Sequence, residues 1–170
     1  MPDIEKDNLD DLLRPNLYVL SVGISRYEDA SIPGLDFCGA DADAIAEFFG
    51  RQRKGLFKKV EVKLLKDEEA TEDAVQEGLE WLEENATQKD VVMIFLAAHG
   101  VNDERGNYYL LPHDGNPDRL RSTGVAWDDF ADILGNLPSR VLMFLDTCHS
   151  GQLGEDLFSL VDTAGVKRRS

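Results

Sequence analysis

The sequence predicts an α/β domain built on a mostly parallel sheet. Two observations predict it. The runs VVMIFLAA (91–98) and RVLMFLD (140–146) are continuously apolar, as strands buried on both faces must be, and strand-like runs alternate along the chain with stretches of helical spacing. That alternation implies a parallel sheet with right-handed crossovers. With 170 residues, 42% of them hydrophobic, the chain is long enough to enclose one core.

Residues 1–16 read as an acidic leader ending at Arg14-Pro15, to which no chemistry is assigned. LYVLSVGI (17–24) is an apolar, β-branched strand closed by the turn-rich SRYEDASIPG, and DADAIAEFFG (41–50) has helical spacing with Gly50 as its stop. VEVKLL (60–65) alternates like a more exposed strand. Thr71 is the expected N-cap of the next helix, with Glu72 and Asp73 in its first turn. After the 91–98 strand, NYYLLP reads as an accessory strand in a hairpin-like insertion. VAWDDFADILGNL (125–137) is amphipathic, with Ala126, Phe130, Ile133 and Leu134 on one face. The strand ending at Asp146 has no evident neighbour on its far side, so a missing second piece is expected.

The formal net charge is −15, from 33 acidic and 18 basic residues, which argues against nucleic acid or an anionic membrane as a partner and suits a cationic substrate or a divalent metal. No apolar run is long enough to span a bilayer, and the acidic N-terminus does not resemble a signal peptide. Two cysteines, Cys38 and Cys148, are too few for a disulfide framework. A reduced, cytoplasmic setting is therefore expected, with a thiol free to react.

The chemistry concentrates at His99 and Cys148. A thiol is a strong nucleophile only as thiolate, so cysteine catalysis needs a positioned imidazole. Both residues are expected just beyond the carboxyl ends of two strands, where open parallel sheets bind ligands. Gly100 removes a side chain where a substrate carbonyl could approach, leaving its N–H and that of Cys148 as oxyanion donors. A phosphatase loop would require Arg six residues after the cysteine; that position is Gly154.

The HG after one buried strand, the DTCHSG after the next, and the intervening NYYLLPHDG and TGVAWDDFADIL resemble the caspase-like cysteine peptidases, closest to metacaspases and their bacterial relatives. The spacing agrees: in caspases the His lies about 50 residues before the Cys. The resemblance runs from residue 17 to about 155, the large-subunit portion of that family. It implies a three-layer fold whose C-terminal strands come from a small-subunit segment, so that 17–170 is the catalytic large-subunit domain. Cleavage of a protein or peptide substrate follows, with no cofactor needed for the chemistry. DCHSG in place of the QACxG of true caspases implies a specificity change. Asp146, two before the nucleophile, and Asp41, matching an acid of the metacaspase pocket, imply recognition of Arg or Lys, and no Arg or Lys lies between Leu35 and Phe49. Asp41 could instead cap its helix, and Ala97 stands where metacaspases often place a serine.

The resemblance also implies a calcium site from Asp114, Asp128, Asp129 and Glu155, oxygen donors suited to a hard cation, although Asp128 and Asp129 equally suit the first turn of a helix. Lys167, Arg168 and Arg169 form a candidate processing site between large and small subunits. The alternative from another class is a non-catalytic caspase-like module acting as regulator or scaffold.

Overall fold

The computed structural model describes residues 13–149, with residues 53, 54, 148 and 149 by their backbone alone. In chain order the elements are β1 (Leu17–Gly23), α1 (Cys38–Gly50), β2 (Val60–Lys66), α2 (Glu72–Asn85), β3 (Val91–Asn102), β4 (Tyr108–Leu110), α3 (Leu120–Thr123), β5 (Val125–Ala126), α4 (Trp127–Asn136) and β6 (Arg140–His149). The six strands form one sheet in the order β2-β1-β3-β4-β5, with β6 also paired to β3. β1, β2, β3 and β6 run parallel, while β4 and β5 are antiparallel additions, so the sheet is mixed.

Burial explains the apolar runs. β1 is buried at all seven positions, as befits a strand with a neighbour on each edge and helices on each face. On one face Leu20, Val22, Ile94 and Leu96 pack with Val75 and Leu79 of α2 and with Trp127 and Phe130 of α4. On the other, Leu17, Val19, Met93, Phe95 and Ala97 pack with Cys38 and Ala42 of α1. Three layers result, and no described helix is long and apolar enough to cross a membrane.

Thr71 is the N-cap expected of it, its hydroxyl accepting the Ala74 N–H at 3.2 Å. Helix α1 begins at Cys38, earlier than the DADA pattern suggests, and its N-cap is Phe37 in the left-handed region (φ 73°) with no side-chain cap. Asp41 therefore lies within the first turn and does not cap the helix. At the amino-terminal ends of β1 and β3, buried Asp90 accepts the Asn16 N–H and both the N–H and hydroxyl of Thr87. Burial alone would raise its pKa, but these bonds hold it below the usual carboxylate range, so the tie persists at neutral pH and is lost on acidification.

The strand boundaries differ from expectation. β3 is twelve residues long and β6 ten, so His99 and Cys148 lie inside strands rather than beyond their ends. β3 outruns β1 because other partners take over: β6 follows it through Gly100, and β4 pairs with Gly100–Asn102.

Helix α1 presses on the end of β1. A Cβ on Gly23 would lie 2.1 Å from the Cys38 carbonyl oxygen and 2.6 Å from Ala42 Cβ, so α1 would have to move. At Gly135 in α4, by contrast, an added methyl group would have nothing within 4 Å. Gly23→Ala is expected to lower stability by about 2–3 kcal/mol, whereas Gly135→Ala raises it by about 0.5–1 kcal/mol, as read by urea denaturation of the two variants.

Candidate active site

Strand register assembles the site. Lys66 of β2, Gly23 of β1, Ala97 of β3 and Asp146 of β6 form one row across the sheet, and two positions further on His99 is paired with Cys148. Adjacent strands lie about 4.8 Å apart, and in-register positions of parallel neighbours share a face. Cys148 is thus the register partner of His99 at the carboxyl end of the sheet, and His99 continues the alternation that places Phe95 and Ala97 on the face covered by α1.

The β1–α1 loop orients His99. Its Nε2 is 2.8 Å from the Pro33 carbonyl oxygen. A carbonyl only accepts, so Nε2 carries the proton and the neutral ring keeps its lone pair on Nδ1. Tyr27 stacks on the imidazole, with centroids 5.2 Å apart and planes 28° apart, and its hydroxyl accepts the His99 backbone N–H at 2.9 Å.

The loop is itself tied down. Asp67, held at φ 43°, accepts the N–H groups of Ser25 and Arg26 through Oδ1 and pairs with the Arg26 guanidinium through Oδ2. His113 Nδ1–H donates to the Arg26 carbonyl at 2.7 Å, and the His113 carbonyl accepts the Glu28 N–H. The Ser25 hydroxyl accepts the Gly39 N–H at the start of α1.

The acids divide between the two faces. Asp146 and Asp41 are exposed and sit on the α1 side, Asp41 in the helical turn lying over Gly23. Neither forms an ion pair among the described residues, whereas Asp43 is neutralised by Lys66 at 2.7 Å. On the opposite side Asp114 Oδ1 accepts the Glu72 N–H at 2.9 Å. There Glu72, Asp128 and Asp129 line an open cleft of about 530 Å³ together with Arg105 and Arg121. Among the described residues no three His, Cys, Asp or Glu have metal-ligand spacing. Glu155 and the Lys167, Arg168 and Arg169 segment lie outside the described residues.

The profile of the caspase domain matches residues 17–168. The chain belongs to the caspase-domain family. No curated protein sequence matches it. Two solved structures show the fold. Protein GSU0716 from Geobacter sulfurreducens is 21% identical over 85% of this chain and 55% of its own, with a TM-score of 0.67. The structure of pro-sf-caspase-1 is 14% identical over 82% of this chain and 48% of its own, with a TM-score of 0.51. The chain spans about half the length of each.

Within this caspase domain one expectation gains a second physical basis. A Cβ on Gly100 would lie 1.9 Å from the Tyr108 hydroxyl, on the face away from α1, so packing also requires the glycine. Sequence reasoning also missed Tyr27, Pro33, Asp67 and His113. A bulky aromatic within the polar stretch SRYEDASIPG was the one available signal.

Glu72 has a raised pKa. Burial is the main cause, followed by the negative charges of Asp73, Asp114 and Asp129. A carboxylate whose pKa is higher folded than unfolded loses stability as the pH rises through that value. Glu72→Gln in metal-free buffer is therefore expected to raise the melting temperature near pH 7 and to leave it nearly unchanged near pH 3, below the ordinary glutamate pKa, where the acid is protonated in both states. A variant that melts with the wild type near pH 7 would contradict this account.

Proposed function

We propose that this caspase domain is the catalytic portion of a cysteine endopeptidase that cleaves after Arg or Lys. The observation that carries the reading is the in-register placement of His99 beside Cys148, with Nε2 committed to the Pro33 carbonyl so that Nδ1 is left as the base. In this scheme Nδ1 takes the Cys148 thiol proton, and the thiolate attacks the scissile carbonyl carbon. The backbone N–H groups of Gly100 and Cys148 stabilise the oxyanion. Collapse expels the amine, which receives the proton from the His99 imidazolium and leaves a thioester. Water, giving its proton to His99, then hydrolyses that thioester and the thiol is regenerated.

The substrate side chain follows from charge. Asp41 and Asp146 form no ion pair among the described residues and lie on the same face as His99. Two carboxylates attract a guanidinium or ammonium and repel an aspartate. Peptide or protein chains with a basic residue before the cleaved bond are the proposed substrates, and a small-subunit segment pairing with β6 is the proposed partner.

Calcium is proposed at Asp114, Asp128 and Asp129 of the opposite face with Glu155, which lies outside the described residues, although the described acids do not have metal-ligand spacing as they stand. These carboxylates offer the oxygen donors a hard cation takes, and a bound cation would lower their mutual repulsion.

Fluorogenic peptides ending in Arg, Lys and Asp test the reading on the full-length protein. The expected result is turnover of the Arg and Lys peptides, stimulated by Ca²⁺, with loss of roughly 10³-fold or more in Cys148→Ala and in His99→Ala. Asp146→Asn should cost roughly 10- to 100-fold on the Arg peptide. Preference for the Asp peptide would refute the pocket. Absence both of turnover and of Cys148 labelling by an arginyl chloromethylketone would leave the non-catalytic scaffold as the better description.

A further inference from the structure

β1 ends at Gly23, two rows before His99, so the edge of β3 that β1 covers is open beside the imidazole-bearing residue. Carbonyls on that edge still find strand-like donors: Ala97 O takes the Ile24 N–H and His99 O takes the Leu111 N–H, at 2.8 and 2.9 Å. The His99 N–H, which points to the same edge, meets no backbone acceptor there. It donates to the Tyr27 hydroxyl at 2.9 Å. The ring of the same tyrosine lies stacked on the imidazole, and Pro33 O takes Nε2–H.

Tyr27 is placed for this by its neighbours. Arg26 is held through its N–H by Asp67 and through its carbonyl by His113, and Glu28 through its N–H by the His113 carbonyl. The ring also packs against two apolar clusters, one including Tyr108 and Trp127 and the other Tyr109 and Leu111. A side chain so held has little rotamer freedom left to lose when His99 is engaged.

We infer that Tyr27 is the positioning residue of His99: its hydroxyl replaces the acceptor that β1 no longer supplies, and its ring holds the imidazole in the rotamer that gives Nε2–H to Pro33 O. Leu and Phe at position 27 separate the two contacts. Phe keeps the platform and removes the acceptor, while Leu removes both. The inference deepens the peptidase reading and rests on it for the kinetic arm alone.

The test uses full-length Tyr27→Phe and Tyr27→Leu. Long-range ¹H–¹⁵N spectra of the imidazole report the His99 tautomer without any substrate, and an arginyl fluorogenic peptide reports kcat and KM. In the wild type and in Tyr27→Phe the Nε2–H tautomer is expected to dominate; in Tyr27→Leu the two tautomers average. kcat should fall roughly 100-fold in Tyr27→Leu, the scale of an ångström-level misplacement, with KM within about twofold, while Tyr27→Phe retains the larger part of the activity. A folded Tyr27→Leu protein with wild-type tautomer and kcat overturns the inference. If that variant does not fold, Tyr27→Phe decides: an unchanged His99 amide shift and unchanged kcat overturn it, and a displaced shift with reduced kcat supports it. A wild type that shows the tautomer but hydrolyses no peptide sinks the peptidase reading and leaves the positioning result standing.

Discussion

The backbone of β3 beyond Ala97 has to find hydrogen-bond partners that β1 does not provide, and much of the site follows from how it finds them. A buried amide or carbonyl left unpaired costs free energy on the order of 1–3 kcal/mol, so a twelve-residue strand beside a seven-residue one is stable only if other groups complete its edge. Leu111 N–H, the β4 ladder and the Tyr27 hydroxyl do so. The consequence is that His99 is a strand residue, within a stretch of β3 that β6 pairs along its other side, rather than a loop residue. A group on a regular element is held more tightly than one on a loop, and only its ring, gripped by Tyr27 and Pro33, remains to be oriented.

The same sheet is incompletely covered at its other edge. Among the described residues β6 pairs with β3 alone, and on the α1 face Leu142 and Phe144 are 45% and 46% exposed because α1 reaches over β1, β2 and β3 but not this far. On the other face Met143 and Leu145 are partly covered by packing against the cluster that contains α4. A ten-residue apolar strand with a bare edge and a bare face is a pairing hazard. The proposed small-subunit strand would remove it while extending the pocket floor beyond Asp146.

Much of this architecture was legible in the sequence because burial writes itself as apolar runs. β1, β3 and β6 were visible for that reason, and Thr71 was visible because a hydroxyl before an acidic turn is a cap with a specific job. Strand ends were not, since β3 continues through His99, Gly100 and Asn102, residues with no apolar signature, on the strength of partners far away in the chain. The start of α1 was hidden by Phe37, whose left-handed backbone is unusual for a bulky residue. Within the site, His99, Cys148, Asp41 and Asp146 announce themselves by residue type. Pro33 contributes a backbone carbonyl, which every residue has, and Asp67 and His113 act on the loop through its main chain. No residue pattern encodes such contacts.

The acids carry the last step. Asp41 and Asp146 lie on the α1 face, and Glu72, Asp114, Asp128 and Asp129 on the other, so the large negative charge is divided by the sheet. Adjacent layers are separated by about 10 Å, already comparable to the screening length in physiological salt, so the direct Coulombic influence of the second group on the proposed basic substrate is weak. Packing offers a stronger connection. Asp128 and Asp129 follow Trp127 at the start of α4; Trp127 meets Tyr108 edge to face at 6.2 Å; and the Tyr108 hydroxyl sits against the Cα of Gly100, the neighbour of His99. Tyr108 and Trp127 are both buried, so the start of α4 and the end of β3 are joined through packed side chains rather than through solvent. In the proposed scheme the acidic cleft would meet the dyad through the packing at Gly100, and Asp41 and Asp146 through substrate charge.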